Sequence, residues 1–231
     1  MIFAISSQTG RQRLPGVRKA LLFLMFLACG MVVAQADERV VVGSKRFTES
    51  YILGEIVAQT ARTTGVRAEH RPGLGNTAVV LEALKAGAID IYPEYLGTIE
   101  QEILKLPAGS APETIARELA RLGLAHGVPL GFSNSYALAT TEALAGQRGL
   151  RRISDLRAQP DLRVALSQEF LGRADGCPGL AARYGLPQRP SAIDHGLSYA
   201  ALATARIDVT DIYTTDARIA ELKLHTLQDD A

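Results

Sequence analysis

Tryptophan is absent from the 231 residues, cysteine occurs twice (Cys29 and Cys177) and histidine four times. Two cysteines exclude a disulfide framework and a cysteine-rich zinc module. His70, His126, His195 and His225 stand far apart, with no i, i+4 pair and no cysteine partner, so no metal site is signalled. A phosphate loop of the form Gly-x4-Gly-Lys-Ser/Thr is also missing, which excludes an ATP site of that kind. Neither charge is in large excess: the formal net charge is +1. Four of the 25 basic residues and none of the 24 acidic ones fall within 1–36, leaving 21 basic against 24 acidic side chains, a net −3, in the rest. A nucleic-acid binder presents a basic face, and this body has none to spare. With 47% hydrophobic residues, the chain is too apolar for a disordered segment and long enough to bury a core.

The one long apolar run falls short of a membrane span, which needs about 20 residues. Arg18-Lys19 precede Ala20–Ala28, and after Cys29-Gly30 the run ends with Met31-Val32-Val33. Ala34-Gln35-Ala36 then supplies a small-x-small cleavage pattern, so residues 1–36 read as a secretory signal peptide and the remainder as exported to the periplasm. A retained anchor, or acylation of Cys29 after Ala28, are the competing readings.

Downstream, short apolar runs alternate with amphipathic stretches. Strands are expected at Arg39–Val42, Val66–His70, Ile89–Tyr92, Leu162–Leu166 and Ile207–Ile212. Helices are expected from Thr48, as cap, through Ile52, Leu53, Ile56, Val57 and Ala61, then over Ala78–Ala86, Glu113–Leu122, Leu180–Tyr184 and Asp194–Ala205. Strands alternating with crossover helices predict a parallel, doubly wound α/β architecture. One internal echo stands out: Leu84, Ile89-Asp90 and Tyr95 recur at identical spacing as Leu202, Ile207-Asp208 and Tyr213. Ligands of open α/β sheets bind beyond the carboxyl ends of strands, so the echo places a tyrosine from each half at a shared cleft. Chance recurrence of common residue pairs is the alternative.

Enzyme signatures are weak. Gly131-Phe132-Ser133-Asn134-Ser135 lacks the closing glycine of a nucleophile elbow. Gly73-x-Gly75-x-x-Ala78 fits a dinucleotide fingerprint formally, but Asp90 opens the next strand where the ribose acid should close it. Helix-terminal amides after Gly75 have a simpler use in holding a carboxylate. Of seven tyrosines, Tyr95, Tyr136, Tyr199 and Tyr213 follow strands or lie on a helix that faces the expected cleft. Gathered tyrosines make a box for a quaternary ammonium group, each ring worth about 0.5–2 kcal/mol. Spacing alone leaves scattered aromatic packing equally open.

Several segments carry a specific resemblance. They are Val42-Gly43-Ser44-Lys45-Arg46-Phe47-Thr48-Glu49, Gly73-Leu74-Gly75-Asn76-Thr77, Asp90-Ile91-Tyr92-Pro93-Glu94-Tyr95-Leu96-Gly97-Thr98, Asn134-Ser135-Tyr136-Ala137-Leu138, Glu169–Gly176 and Asp211–Ile219. In this order, from about Val40 to Asp230, they resemble the glycine betaine/choline/carnitine substrate-binding proteins of ABC transporters. The resemblance implies a type II periplasmic-binding-protein fold: two doubly wound α/β lobes with a ligand cleft between them. Lobe one would comprise 37–133 plus 214–231, and lobe two 134–213. It implies a cage of Tyr95, Tyr136 and Tyr213 with Tyr199 as a further member. Asn76, Thr77 and Thr98 would line the cleft, with Lys45 near it. Arg173 would meet a ligand carboxylate or else bridge to an acid such as Glu169. The implied protein is a non-enzymatic, monomeric receptor without cofactor or metal. It would take a quaternary ammonium solute and pass it to a membrane permease driven by a separate ATPase. A same-fold receptor for another small polar solute, or a truncated copy without transport role, are the alternatives. Three departures go with it: Ser50 where relatives often have Gln, Cys177 where a Trp is common, and an end at Ala231 where relatives continue through a further cage tyrosine. The last implies an incomplete lobe one.

Overall fold

The computed structural model describes residues 2–6 and 39–231. The expected cleavage site at Ala34-Gln35-Ala36 and Cys29 lie outside them. Of the expected leader, Ile2–Ser6 is described, and it forms strand β1.

The first body is built on one sheet. Arg39–Gly43 (β2) leads through helix α1 (Thr48–Thr63) to Arg67–Arg71 (β3), then through α2 (Thr77–Lys85) to Ile91–Glu94 (β4). β2 pairs in parallel with β3 and β4, the expected doubly wound pattern. A π-helical turn (Thr98–Ile103) and α3 (Pro112–Arg121) carry the chain to Leu124–His126 (β5). β1 fills the slot between β4 and β5, antiparallel to both, and completes the order β3-β2-β4-β1-β5. Its core joins Val41, Val80, Leu84, Tyr92, Ile115, Leu119 and their neighbours.

Helix α1 differs from its expected face. Ser50, Leu53, Gly54 and Ala58 are buried, whereas Ile52 and Ile56 point outward, each more than half exposed. Gly54 explains the rotation. A Cβ there would come within 2.5 Å of His70 Nε2, so the glycine lets the helix sit down on the β3 histidine. Thr48 is the first helical residue rather than the cap, which is Phe47.

The second body mixes parallel and antiparallel pairing. Tyr136–Thr141 (β6) is central to an antiparallel sheet of order β10-β6-β9, with β9 at Thr210–Tyr213 and β10 at Leu224–Thr226. Ala165–Ser167 (β7) pairs in parallel with Ser191–Ile193 (β8), and a bridge from Val164 to Val209 joins this pair to β9. Helices α4 (Glu142–Arg148), α5 (Gln168–Gly172), α6 (Cys177–Tyr184) and α7 (His195–Ala203) surround these strands, and the short α8 (Arg218–Glu221) precedes β10. The expected all-parallel winding therefore holds only in part. β6 was unread as a strand because its run Tyr-Ala-Leu-Ala-Thr-Thr is short and rich in alanine. Residues 214–231, expected to return to lobe one, instead place β10 on the edge of β6 and bury Leu224 beside Tyr199 and Ile212.

Candidate functional site

The strand ends of the two bodies face one another across a cleft. Beyond β2, Ser44 is laced to the turn at residues 71–75: its amide donates to the Arg71 carbonyl and its carbonyl accepts from Leu74. Gly73 and Gly75, at φ +69° and +144°, allow that turn to double back, and Arg46 donates to the Gly75 carbonyl. The Ser50 hydroxyl accepts the Lys45 amide at 2.8 Å. The residue that departs from the resembling pattern is thus spent on fixing Lys45 from behind.

So held, Lys45 reaches inward. Its ammonium, almost wholly buried, donates to Glu94 Oε1 at 2.7 Å and Thr77 Oγ1 at 3.3 Å. Glu94 closes β4 and is fully buried; burial pushes its carboxyl up, against the pull of Lys45. Removing either partner would strand an uncompensated charge in the protein interior.

Four rings converge around this ion pair. Phe47 lies 4.7 Å from Tyr213 and 6.3 Å from Tyr95, centroid to centroid, and Tyr136 lies 5.0 Å from Tyr213. Behind them, His195 packs 4.4 Å from Tyr213 and Phe170 packs 4.9 Å from Tyr136. The ring faces already meet cations: Lys45 Nζ stands 5.4 Å from the Tyr95 centroid and 5.7 Å from that of Phe47, and the Arg173 guanidinium 5.7 Å from that of Tyr136. Burial drives the hydroxyls of Tyr95, Tyr136 and Tyr213 well above their ordinary range. The rings therefore act as neutral quadrupoles, not as phenolate charges.

Polar contacts join the bodies. Thr77 donates to Glu169 Oε1 at 2.5 Å, and Arg173 Nη1 donates to Thr98 Oγ1 at 3.1 Å. Asn134 donates to Glu49 at 3.1 Å and to the Tyr95 hydroxyl at 3.2 Å, while that hydroxyl donates to Glu49. Arg173 is 4% exposed and pairs bidentately with Asp175, at 2.9 and 2.6 Å. Burial pulls its pKa down, but the Asp175 carboxylate outweighs that and holds it up. Its acid partner is thus Asp175 and not Glu169, and its contact across the cleft is the Thr98 hydroxyl.

Two chambers result, of about 320 and 440 Å³, with Lys45, Phe47 and Tyr213 as a common wall. Tyr95, Thr98, Tyr136 and Arg173 line the smaller one. Asn76 lines the larger, although its side chain caps α2 by accepting the Val79 amide at 3.2 Å. Tyr199 lines neither: it is buried behind the wall, its hydroxyl donating to Asp216, whose carboxylate lies 3.3 Å from His195 Nε2. It supports His195, which in turn backs Tyr213. Sequence reading overlooked Phe47, Glu49, Glu94, Glu169 and His195. Phe47 was findable, since it follows β2 much as Tyr95 follows β4; the carboxylates carry no local pattern that separates them from surface acids. Among the described residues no group of three or more His, Cys, Asp or Glu is arranged to hold a metal ion, and no helix is long and apolar enough to cross a membrane.

Residues 38–231 match the family described as the substrate-binding domain of the ABC-type glycine betaine transport system. A glycine-betaine-binding protein of Pseudomonas aeruginosa is 34% identical over 218 residues, 86% of this chain and 68% of that one. The glycine betaine-binding protein YehZ of Escherichia coli is 29% identical, over 89% and 74% of the two chains. An ergothioneine transport permease/binding protein of Helicobacter pylori is 30% identical, but this chain spans only 39% of it. Among solved structures, a glycine betaine/carnitine/choline ABC transporter protein superposes with a TM-score of 0.56 at 27% identity, covering 83% of this chain and 74% of the other. Apo YehZ gives 0.52 at 29% identity, over 83% and 75%. The architecture is that of the type II periplasmic binding proteins. The chain belongs to the substrate-binding domains of ABC-type glycine betaine transport systems, a family of solute-binding proteins and not of enzymes.

Proposed function

We propose that the chain is an extracytoplasmic receptor that captures a quaternary ammonium solute such as glycine betaine between its two bodies and delivers it to a membrane permease driven by a separate ATPase. The observation that carries this reading is the convergence of Phe47, Tyr95, Tyr136 and Tyr213 in a chamber that also holds Lys45, Thr98 and Arg173. A trimethylammonium group donates no strong hydrogen bond, so ring faces are its natural receptor, each contributing about 0.5–2 kcal/mol according to desolvation. The carboxylate of a betaine would lie toward Lys45, the Thr98 hydroxyl and the Arg173 guanidinium, whose charges are set among buried partners. Rings and hydroxyls come from both bodies, so ligand would bind the open form and hinge closure would bury it. The test is calorimetric titration of the chain with glycine betaine and choline, alongside Tyr136→Ala. Saturable binding that the substitution abolishes supports the reading. No binding of either solute to the folded protein overturns it.

A further inference from the structure

Resting on that reading, we propose that the larger chamber is a second subsite that accepts the side arm of an amino-acid betaine, one whose arm donates hydrogen bonds. Glycine betaine has no such arm. The smaller chamber, at about 320 Å³, already reaches the lower end of the range of small-molecule sites, about 300–1,000 Å³. The larger adds about 440 Å³ behind the shared wall of Lys45, Phe47 and Tyr213. A ligand anchored by its ammonium at the rings reaches it by passing Tyr213.

The chemistry of that chamber differs from its neighbour's. Glu169 contributes a carboxylate with Oε1 occupied by Thr77 and Oε2 without a partner among the described residues. Asp194 adds a second acid, balanced at 3.8 Å by the exposed Arg46. Asn76, Gln168 and His195 supply further polar edges, and the Nδ1 of His195 is buried without a hydrogen-bond partner. The Glu169 charge reaches the cage, where it opposes ionisation of Tyr136 and Tyr213. The arm that suits an unspent carboxylate oxygen beside a histidine is a donor, N–H or O–H. An anionic arm is rejected by Glu169 and Asp194, and a purely aliphatic one would leave both desolvated and unpaired.

The probes are histidine betaine, whose arm is an N–H imidazole, and glycine betaine, titrated into the full chain and into Glu169→Gln and Gln168→Trp. Gln168 opens α5 at the chamber lining, away from the rings, and an indole there fills the chamber. Histidine betaine is expected to bind tenfold or more tightly than glycine betaine, the gain of one charge-assisted hydrogen bond. Gln168→Trp should erase that advantage and leave glycine betaine within twofold of its original affinity; Glu169→Gln should reduce the advantage severalfold. Equal binding of both betaines, or an advantage that survives Gln168→Trp, overturns the subsite while leaving the receptor reading intact. Failure of both betaines to bind overturns the two together.

Discussion

The Asp208 carboxylate grips Arg163 three times: Oδ2 accepts the backbone amide at 2.7 Å and Nε at 2.9 Å, and Oδ1 accepts Nη2 at 2.6 Å. The Asp208 amide meanwhile donates to the Arg163 carbonyl. Asp90 does the same backbone work in the other body: its Oδ2 accepts the Val41 amide at 2.7 Å and its own amide donates to the Val41 carbonyl. Each aspartate clamps its strand to the neighbour, five residues before the tyrosine that enters the cleft.

Asp208→Asn should therefore loosen the second body. Hydrogen bonding from Arg163 holds the Asp208 carboxyl below its usual range. A depressed folded-state pKa contributes stability that is present above the unfolded value, about 3.9, and is lost as pH falls through the folded one. Since the Arg163 side chain is about half exposed, the electrostatic part is discounted and the cost at pH 7 is set at about 1–2 kcal/mol. Denaturant unfolding at pH 7 and pH 3 checks this: the gap between wild type and variant should shrink at the lower pH, and a gap that widens refutes the assignment.

The repeat of Ile-Asp and Tyr at equal spacing was readable in the sequence, because the clamp needs one acid at one position in each strand. So were the helix starts and the tyrosines beyond strand ends, which obey short-range rules. The turn of α1 was not readable: the outward Ile52 and Ile56 look like core, and only the fit of Gly54 against His70, sixteen residues on, decides otherwise. Nor was the pairing of Arg173 with Asp175 rather than Glu169, since both acids lie within reach along the chain and the closure of the two bodies selects between them. β10 escaped for a similar reason: a three-residue strand has no period of its own and exists by pairing with β6.

Phe47 tests whether the wall between the chambers matters to ammonium binding. Its ring touches Tyr213 and Tyr95 and lies under Lys45. Phe47→Ala should weaken glycine betaine by about 2–30-fold, the range of one cation–π ring. Phe47→Tyr should restore most of the loss. Calorimetry on both variants separates a ring effect from a folding effect, and unchanged affinity in the alanine variant removes Phe47 from the site.

Glu94→Gln probes the buried ion pair. The amide leaves Lys45 charged and unmatched in the interior, at a cost of about 3–5 kcal/mol. The double variant Lys45→Met, Glu94→Leu removes both charges and should recover much of that stability without recovering binding. Urea midpoints for the single and double variants decide it; a double variant no more stable than the single one contradicts the account.

Arg173→Lys distinguishes a guanidinium that only braces the bodies from one that also reads a carboxylate. The guanidinium holds Asp175 with two nitrogens and Thr98 with the third, in one plane. Lysine offers one nitrogen, and it cannot keep both partners. If Arg173 serves closure alone, glycine betaine and choline should weaken equally, because both need the same closed rings. If it also faces the ligand carboxylate, glycine betaine should lose about tenfold or more, while choline, with a hydroxyl in place of the carboxylate, loses only the shared closure effect. The second pattern is expected, because Arg173 shares its chamber with Lys45 and Thr98 and stands over the Tyr136 ring, next to where the ammonium would rest. Titration of both solutes into the variant reads the difference directly, and an equal loss assigns Arg173 to closure.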